Sequence, residues 1–158
     1  MELDAAEARC RELMVEYGFG EWSFRWMDSE AMFGMCQPGR QAISLSRHLV
    51  RLNPEAQVED TIRHEIAHAL AWRMSPSDRD AHGRTWVKAC ALVGARPVRC
   101  YGAEVVTPPA RYVGHCTEGC TAKIERRTLF ADSLNRFRCG KCRVRVRWFD
   151  TREKRWMN

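Results

Sequence analysis

The stretch from Asn53 to Met74, NPEAQVEDTIRHEIAHALAWRM, decides how the rest of the sequence is read. Val58, Ile62, Ile66, Ala69 and Leu70 recur at helical spacing, which predicts an amphipathic helix whose apolar face enters a core. Asn53 suits the N-cap and Pro54 the first helical position, while Glu55, Glu59 and Asp60 put negative charge near the positive end of the helix dipole. Inside that helix stand His64-Glu65-Ile66-Ala67-His68. Residues four apart lie about one 5.4 Å turn apart on nearly one face, so His64 and His68 can grip one metal ion from the same side. Glu65 is rotated by about 100° from His64, which puts its carboxylate beside the ion, where it can take a proton from a water the ion has acidified. The plain alternative is a solvated helix face with incidental histidines. The cap, the periodicity and a further histidine downstream argue against it.

Ser75 to Asp80 is a run of turn formers. His82-Gly83 then precedes Trp86, Ala89, Cys90 and Val93 at helical spacing, and Gly94 is a natural stop. His82, four residues before Trp86, falls on the inward stripe of this second helix and is the candidate third ligand. A catalytic zinc has three protein ligands and an open position, and His64, His68 and His82 supply three. Asp78 and Asp80 are the rivals for the third place; otherwise they cap the second helix or orient a ligand histidine.

Upstream, Leu3, Ala6, Cys10, Leu13, Met14 and Tyr17 step by three and four, predicting a first helix that Gly18 ends. Trp22, Phe24 and Trp26 alternate with polar residues as in a half-buried strand. Ala31 to Cys36 and Ala42 to Ser46 read as two strands joined through Gln37-Pro38-Gly39-Arg40, so a small antiparallel sheet is expected. Its edge, beside the metal helix, is a place for an extended peptide to add as another strand. Cys36 and His48 read as structural residues rather than extra ligands.

Ala95 to Pro109 is a connector, with Val105-Val106 as a possible short strand, and the domain boundary is placed near residue 108. Residues 1–108 then form one domain and 109–158 a small module. The module holds Cys116-x3-Cys120 and, after eighteen intervening residues, Cys139-x2-Cys142. Two close pairs of this kind are the pattern of a zinc ribbon, in which four thiolates close around a structural zinc. The first gap is one residue wider than usual and His115 adjoins it, so a mixed ligand set is the alternative. Arg143-Val144-Arg145-Val146-Arg147-Trp148 alternates, which on a strand puts Arg143, Arg145 and Arg147 on one face, a ladder able to track phosphates; solvent-facing arginines over a small core are the plain alternative.

Charge separates the same two parts. Residues 1–109 carry 13 Lys/Arg against 15 Asp/Glu, whereas residues 110–158 carry 13 against 5. The excess of +6 at pH 7 therefore belongs to the module and points to a polyanionic partner, most simply nucleic acid. No run of 18 apolar residues occurs, and Met1 to Tyr17 is of mixed charge, so neither a membrane span nor a secretory signal is expected. Paired cysteines without such a signal fit metal ligation in a reducing, intracellular compartment.

Taken together, the helical His64-Glu65-Ile66-Ala67-His68-Ala69, the later Asp80-Ala81-His82-Gly83 followed by Trp86, the upstream Gly34-Met35-Cys36 and Ile43-Ser44-Leu45-Ser46, and the four-cysteine module resemble the SprT-like zinc metalloproteases. The resemblance covers most of the chain. It implies an α+β, zincin-like domain followed by a zinc ribbon, with His64, His68 and His82 holding one catalytic zinc, Glu65 as catalytic base and Cys116, Cys120, Cys139 and Cys142 holding one structural zinc. It also implies action on proteins bound or crosslinked to DNA; with the basic module, the expected partners are DNA with single-stranded character, bound by residues 111–158, and a protein substrate. A non-catalytic nucleic-acid-binding zinc protein, and a general intracellular metallopeptidase without DNA dependence, are the competing readings.

Overall fold

In a computed structural model, residues 1–78 and 80–157 are described, and the chain divides into two units, Met1–Pro108 and Pro109–Asn158. The first is ordered around helix α3 (Glu55–Met74), where Val58, Ile62, Ile66, Ala69 and Leu70 are buried as the periodicity requires. Burying an isoleucine side chain contributes roughly 1.5–3 kcal/mol, so Ile62 and Ile66, both fully buried, do much to fix the rotation of α3 about its axis. Helix α1 (Leu3–Glu16) buries Ala6, Cys10, Leu13 and Met14 in the same core as α3 and as Trp86, Ala89, Cys90 and Val93 of helix α4 (Arg84–Val93). Gly94, at φ 67°, ends α4 in the left-handed conformation that glycine adopts without strain.

Strands β1 (Ser23–Met27), β2 (Gly34–Gln37) and β3 (Ala42–Ser46) form a sheet in the order β1-β3-β2. The β2–β3 pair is antiparallel, with Cys36 opposite Ile43. β1 joins the other side of β3 in parallel, Phe24 opposite Ile43, so the sheet is mixed rather than wholly antiparallel. The five residues of β3 are all buried, as befits a central strand, and β2 is left at an edge and packs against α3.

A short helix, α2 (Arg47–Leu52), was not expected. Ser46 caps it by accepting from the backbone N–H of Leu49 at 3.1 Å. Its presence changes the role of Asn53. That residue closes α2 instead of opening α3: the Nδ2 amide donates to the carbonyls of Leu49 and Val106, each at 2.8 Å, and Oδ1 accepts from the N–H of Val106 at 2.8 Å. Pro54 is the N-cap of α3 and offers no side-chain cap. The Asn53 bonds also pin the connector, which forms no strand at Val105-Val106, to the first unit; Val105 is buried there.

In the second unit, β4 (Tyr112–Cys116), β5 (Lys123–Arg126), β6 (Val146–Asp150) and β7 (Arg155–Met157) form an antiparallel sheet ordered β5-β4-β6-β7. Trp148 and Val146 pack with Cys116 and Cys139 in a small core. Among the described residues no helix is long and apolar enough to cross a membrane.

Candidate metal centres

His64 and His68, one turn apart on α3, turn their Nε2 atoms to 3.1 Å from each other. His82 is not on α4, as its spacing from Trp86 suggested, but in the turn before it, with Gly83 as the N-cap. That turn is built by Asp78 and Asp80. The Asp80 carboxylate accepts from the His82 N–H at 3.2 Å, and Asp78 accepts from the Asp80 N–H at 3.0 Å and the Thr85 hydroxyl at 2.9 Å. The aspartates therefore shape the loop that carries the third histidine. The three imidazoles each offer a ring nitrogen within 4.8 Å of the others.

Two nitrogens bound at about 2.0–2.1 Å to one tetrahedral zinc stand about 3.3 Å apart, close to the observed 3.1 Å. Among the described residues His82 Nε2 is buried and finds no hydrogen-bond partner, which a polar atom seldom tolerates unless something else binds it. Burial lowers the His64 ring to a pKa of about 4 and the His68 ring to about 3, with the neighbouring imidazoles adding to both shifts. Both are thus neutral near pH 7, the form that binds a metal. The residues present fit a zinc ion with one open position.

The histidines rest on Trp86, whose ring centroid lies 5.0, 5.4 and 4.7 Å from those of His64, His68 and His82. They border a cleft of about 470 Å³ that also exposes Gly34, Cys36, Glu65 and Arg99. Glu65 is buried at 6 % exposure, and desolvation pushes its carboxyl up to about 8, opposed by a backbone hydrogen bond from Cys36. A carboxyl so poised beside three imidazoles suits proton transfer near neutral pH. Gly34 makes this burial possible: a Cβ there would stand 2.6 Å from both Cγ and Oε1 of Glu65. The roles of Gly34 and Trp86 in the site could not be read from their spacing, since both arise from packing between distant segments.

In the second unit the Sγ atoms of Cys116, Cys120, Cys139 and Cys142 all lie within 4.8 Å of one another. Cys116 and Cys142 are 3.3 Å apart, and Cys120 and Cys139 3.2 Å. Thiolates bound at about 2.3 Å to a tetrahedral zinc would be separated by about 3.8 Å, so a small expansion admits the ion. The Cys142 backbone N–H, aided by the Cys120 thiol, brings Cys139 down to about 6, favouring the thiolate. His115 lies outside this cluster and packs on Trp156 at 5.4 Å.

The arginine ladder is only partly formed. Arg143 has φ 62°, because the chain turns tightly at the second cysteine pair, where its N–H bonds to the Cys139 carbonyl at 3.0 Å. Arg145 precedes β6 and is tied to Asn135, leaving Arg147 as the member on a strand. A different surface emerges around it. Lys123, His115 and Arg147 are cross-strand partners in one row, and Glu125, Val113, Phe149 and Trp156 form the next. The Arg147 guanidinium lies 4.6 Å from the Trp156 ring, which is 47 % exposed. The sequence signal for this surface was Arg155-Trp156-Met157, a three-residue strand too short to stand out.

Comparison with known proteins places these sites in context. The SprT-like family model matches residues 7–106. Protein SprT of Pseudomonas putida (strain W619) is 28% identical over 127 residues, covering 78% of this chain and 76% of that protein. The Germ cell nuclear acidic-1 protein of Caenorhabditis elegans is 28% identical over 93 residues, which are 54% of this chain but 17% of the worm protein. No solved structure matches the chain.

Proposed function

The chain belongs to the SprT-like family, and we propose that it is a zinc-dependent endopeptidase, stimulated by DNA, that acts on DNA-bound or DNA-crosslinked proteins. The observation that carries the peptidase reading is the buried Glu65 carboxyl in one cleft with three imidazoles able to hold a metal. His64, His68 and His82 would hold the zinc, which when bound supplies a Lewis acid that acidifies water and polarises a carbonyl. Glu65 takes the proton from the attacking water and returns it to the amide nitrogen as it leaves. Edge strand β2 borders the cleft through Gly34 and Cys36, so an extended peptide can lie along it with main-chain hydrogen bonds and bring its carbonyl to the site. Trp86, buried beneath the imidazoles, keeps them from turning away.

The four cysteines would hold a second, structural zinc that keeps the small second unit folded. Support for a nucleic-acid partner comes from the concentration of positive charge there and from the row of Lys123, His115 and Arg147 beside exposed Trp156. Bases of a single strand stack on such aromatic rings while cations neutralise phosphates. Unpaired strands are favoured over duplex because only they offer a free base face.

The test is cleavage of a DNA-binding protein by zinc-loaded wild type and Glu65→Gln, each with and without single-stranded DNA. The expected result is cleavage by wild type that requires DNA and is lost in Glu65→Gln. Equal cleavage without DNA would make the chain a general peptidase. DNA binding with no cleavage by either form would make it a binding module.

A further inference from the structure

Arg99 stands in the connector after α4, and its side chain lines the same cleft as Glu65 and the three histidines. Among the described residues it is the arginine of that lining, and its charge reaches the His82 ring. Among the described residues, no carboxylate and no hydrogen-bond acceptor pairs with its guanidinium. Arg63, Arg73 and Arg96 are otherwise engaged. Arg96 donates to Asp60 at 2.8 Å and to Gln57 at 3.3 Å, Arg63 to Glu59 at 2.7 Å and to the Val93 carbonyl at 2.6 Å, and Arg73 to the Tyr17 carbonyl at 3.1 Å.

The other polar groups at hand are committed too. The Thr85 hydroxyl donates to Asp78 at 2.9 Å, and the Tyr101 hydroxyl donates to the Ala31 carbonyl. The first ties α4 to the Asp78 side chain and the second holds the Ala31 backbone in place. The Arg96 bonds to α3 and the Asn53 bonds to Val106 anchor the connector on either side of Arg99, so its backbone is held although its side chain is exposed.

We infer that Arg99 is a catalytic residue of the proposed peptidase, the cation that receives negative charge on the carbonyl oxygen of the scissile peptide. The inference rests on the peptidase reading above. As the bond from water oxygen to carbonyl carbon forms, the carbonyl π pair moves onto its oxygen, and a guanidinium N–H donates to that oxygen while Glu65 holds the proton lost by the water. When the carbonyl reforms, the C–N bond breaks, its electron pair leaves with nitrogen, and nitrogen takes the proton from Glu65. A donor already aimed at the developing charge is worth about 10²–10³ in kcat where such donors have been removed.

The test compares zinc-loaded wild type, Arg99→Ala and Arg99→Lys with two readouts: kcat and KM on a quenched-fluorescence peptide, and the dissociation constant of a phosphinic peptide whose anionic oxygen replaces that of the carbonyl. Arg99→Ala should lose about 10²-fold in kcat, leave KM within about twofold, bind the phosphinic peptide correspondingly more weakly and keep its zinc content. Arg99→Lys should recover part of each loss. An unchanged kcat, or a loss confined to KM, overturns the assignment. If wild type binds the phosphinic peptide through Arg99 but cleaves nothing, the peptidase reading falls and Arg99 keeps its place as the anion-binding residue. If wild type cleaves and Arg99→Ala matches it in both readouts, the reverse holds. Neither binding nor cleavage by wild type overturns both.

Discussion

Gly34 and Glu65 are in such close approach that a single methyl group on the former would stand 2.6 Å from the latter's Cγ. The edge strand β2 and helix α3 are thereby fitted to each other at the carboxyl proposed as the catalytic base. Gly34→Ala must push Glu65 aside. Misplacing a catalytic group by about 1 Å costs on the order of 10²-fold, so kcat should fall by about that factor while zinc content, measured by atomic emission, stays the same.

Glu65 also carries a pH signature. In the metal-free protein burial raises its folded pKa to about 8, above the value of about 4.3 expected when unfolded. Between these the folded state holds a proton that the unfolded state releases, so the carboxyl's contribution to stability is lost as pH rises through that window. Relative to Glu65→Gln, metal-free wild type should lose on the order of a few kcal/mol from pH 4 to pH 8, measured by urea unfolding at each pH. A difference independent of pH would contradict the burial of this group.

Asn53 ties α2 to the connector through three hydrogen bonds. Replacing it with alanine leaves the buried Leu49 carbonyl and the part-buried Val106 backbone groups without these partners, at about 1–3 kcal/mol for a buried group stranded. Asn53→Ala should lower stability by about 2 kcal/mol in denaturant unfolding and should speed hydrogen exchange at Val106.

For the second unit, Cys139→Ser removes one of four thiolates and should reduce bound zinc from two ions to one per chain, with the signals of the residue 109–158 region collapsing in an NMR spectrum while those of α3 and α4 persist. Chelation of the wild type should reproduce the same loss first in whichever centre binds more weakly.

Trp156→Ala should weaken binding of single-stranded DNA by about 1–3 kcal/mol with little change in salt dependence, because stacking involves no counterion release. Arg147→Ala should instead lower the slope of log affinity against log salt by about 0.7. Fluorescence titrations at several salt concentrations separate the two.

The parts of the molecule that were legible beforehand are those with a repeating signal. α3 and α4 each show a stripe of buried residues long enough to outweigh local exceptions, and the paired cysteines carry their spacing on their face. What was hidden lay between segments. Asn53 reads as a helix cap because asparagine before proline usually is one, and only the short α2, capped by Ser46, turns it to another use. Arg143 belongs to an alternating run, yet closing the cysteine cluster forces its backbone out of the strand. Neither the closeness of Gly34 to Glu65 nor the place of Arg99 in the cleft follows from hydrophobic periodicity, since each arises from packing between segments apart in sequence.

The third histidine sits in a turn rather than on a helix. Two of the three candidate ligands, His64 and His68, come from α3 alone, whereas the third comes from the turn that the Asp78 and Asp80 carboxylates shape. A zinc ion held there would join α3 to the turn that leads into α4, so its release to an external chelator would report on how firmly that turn is seated.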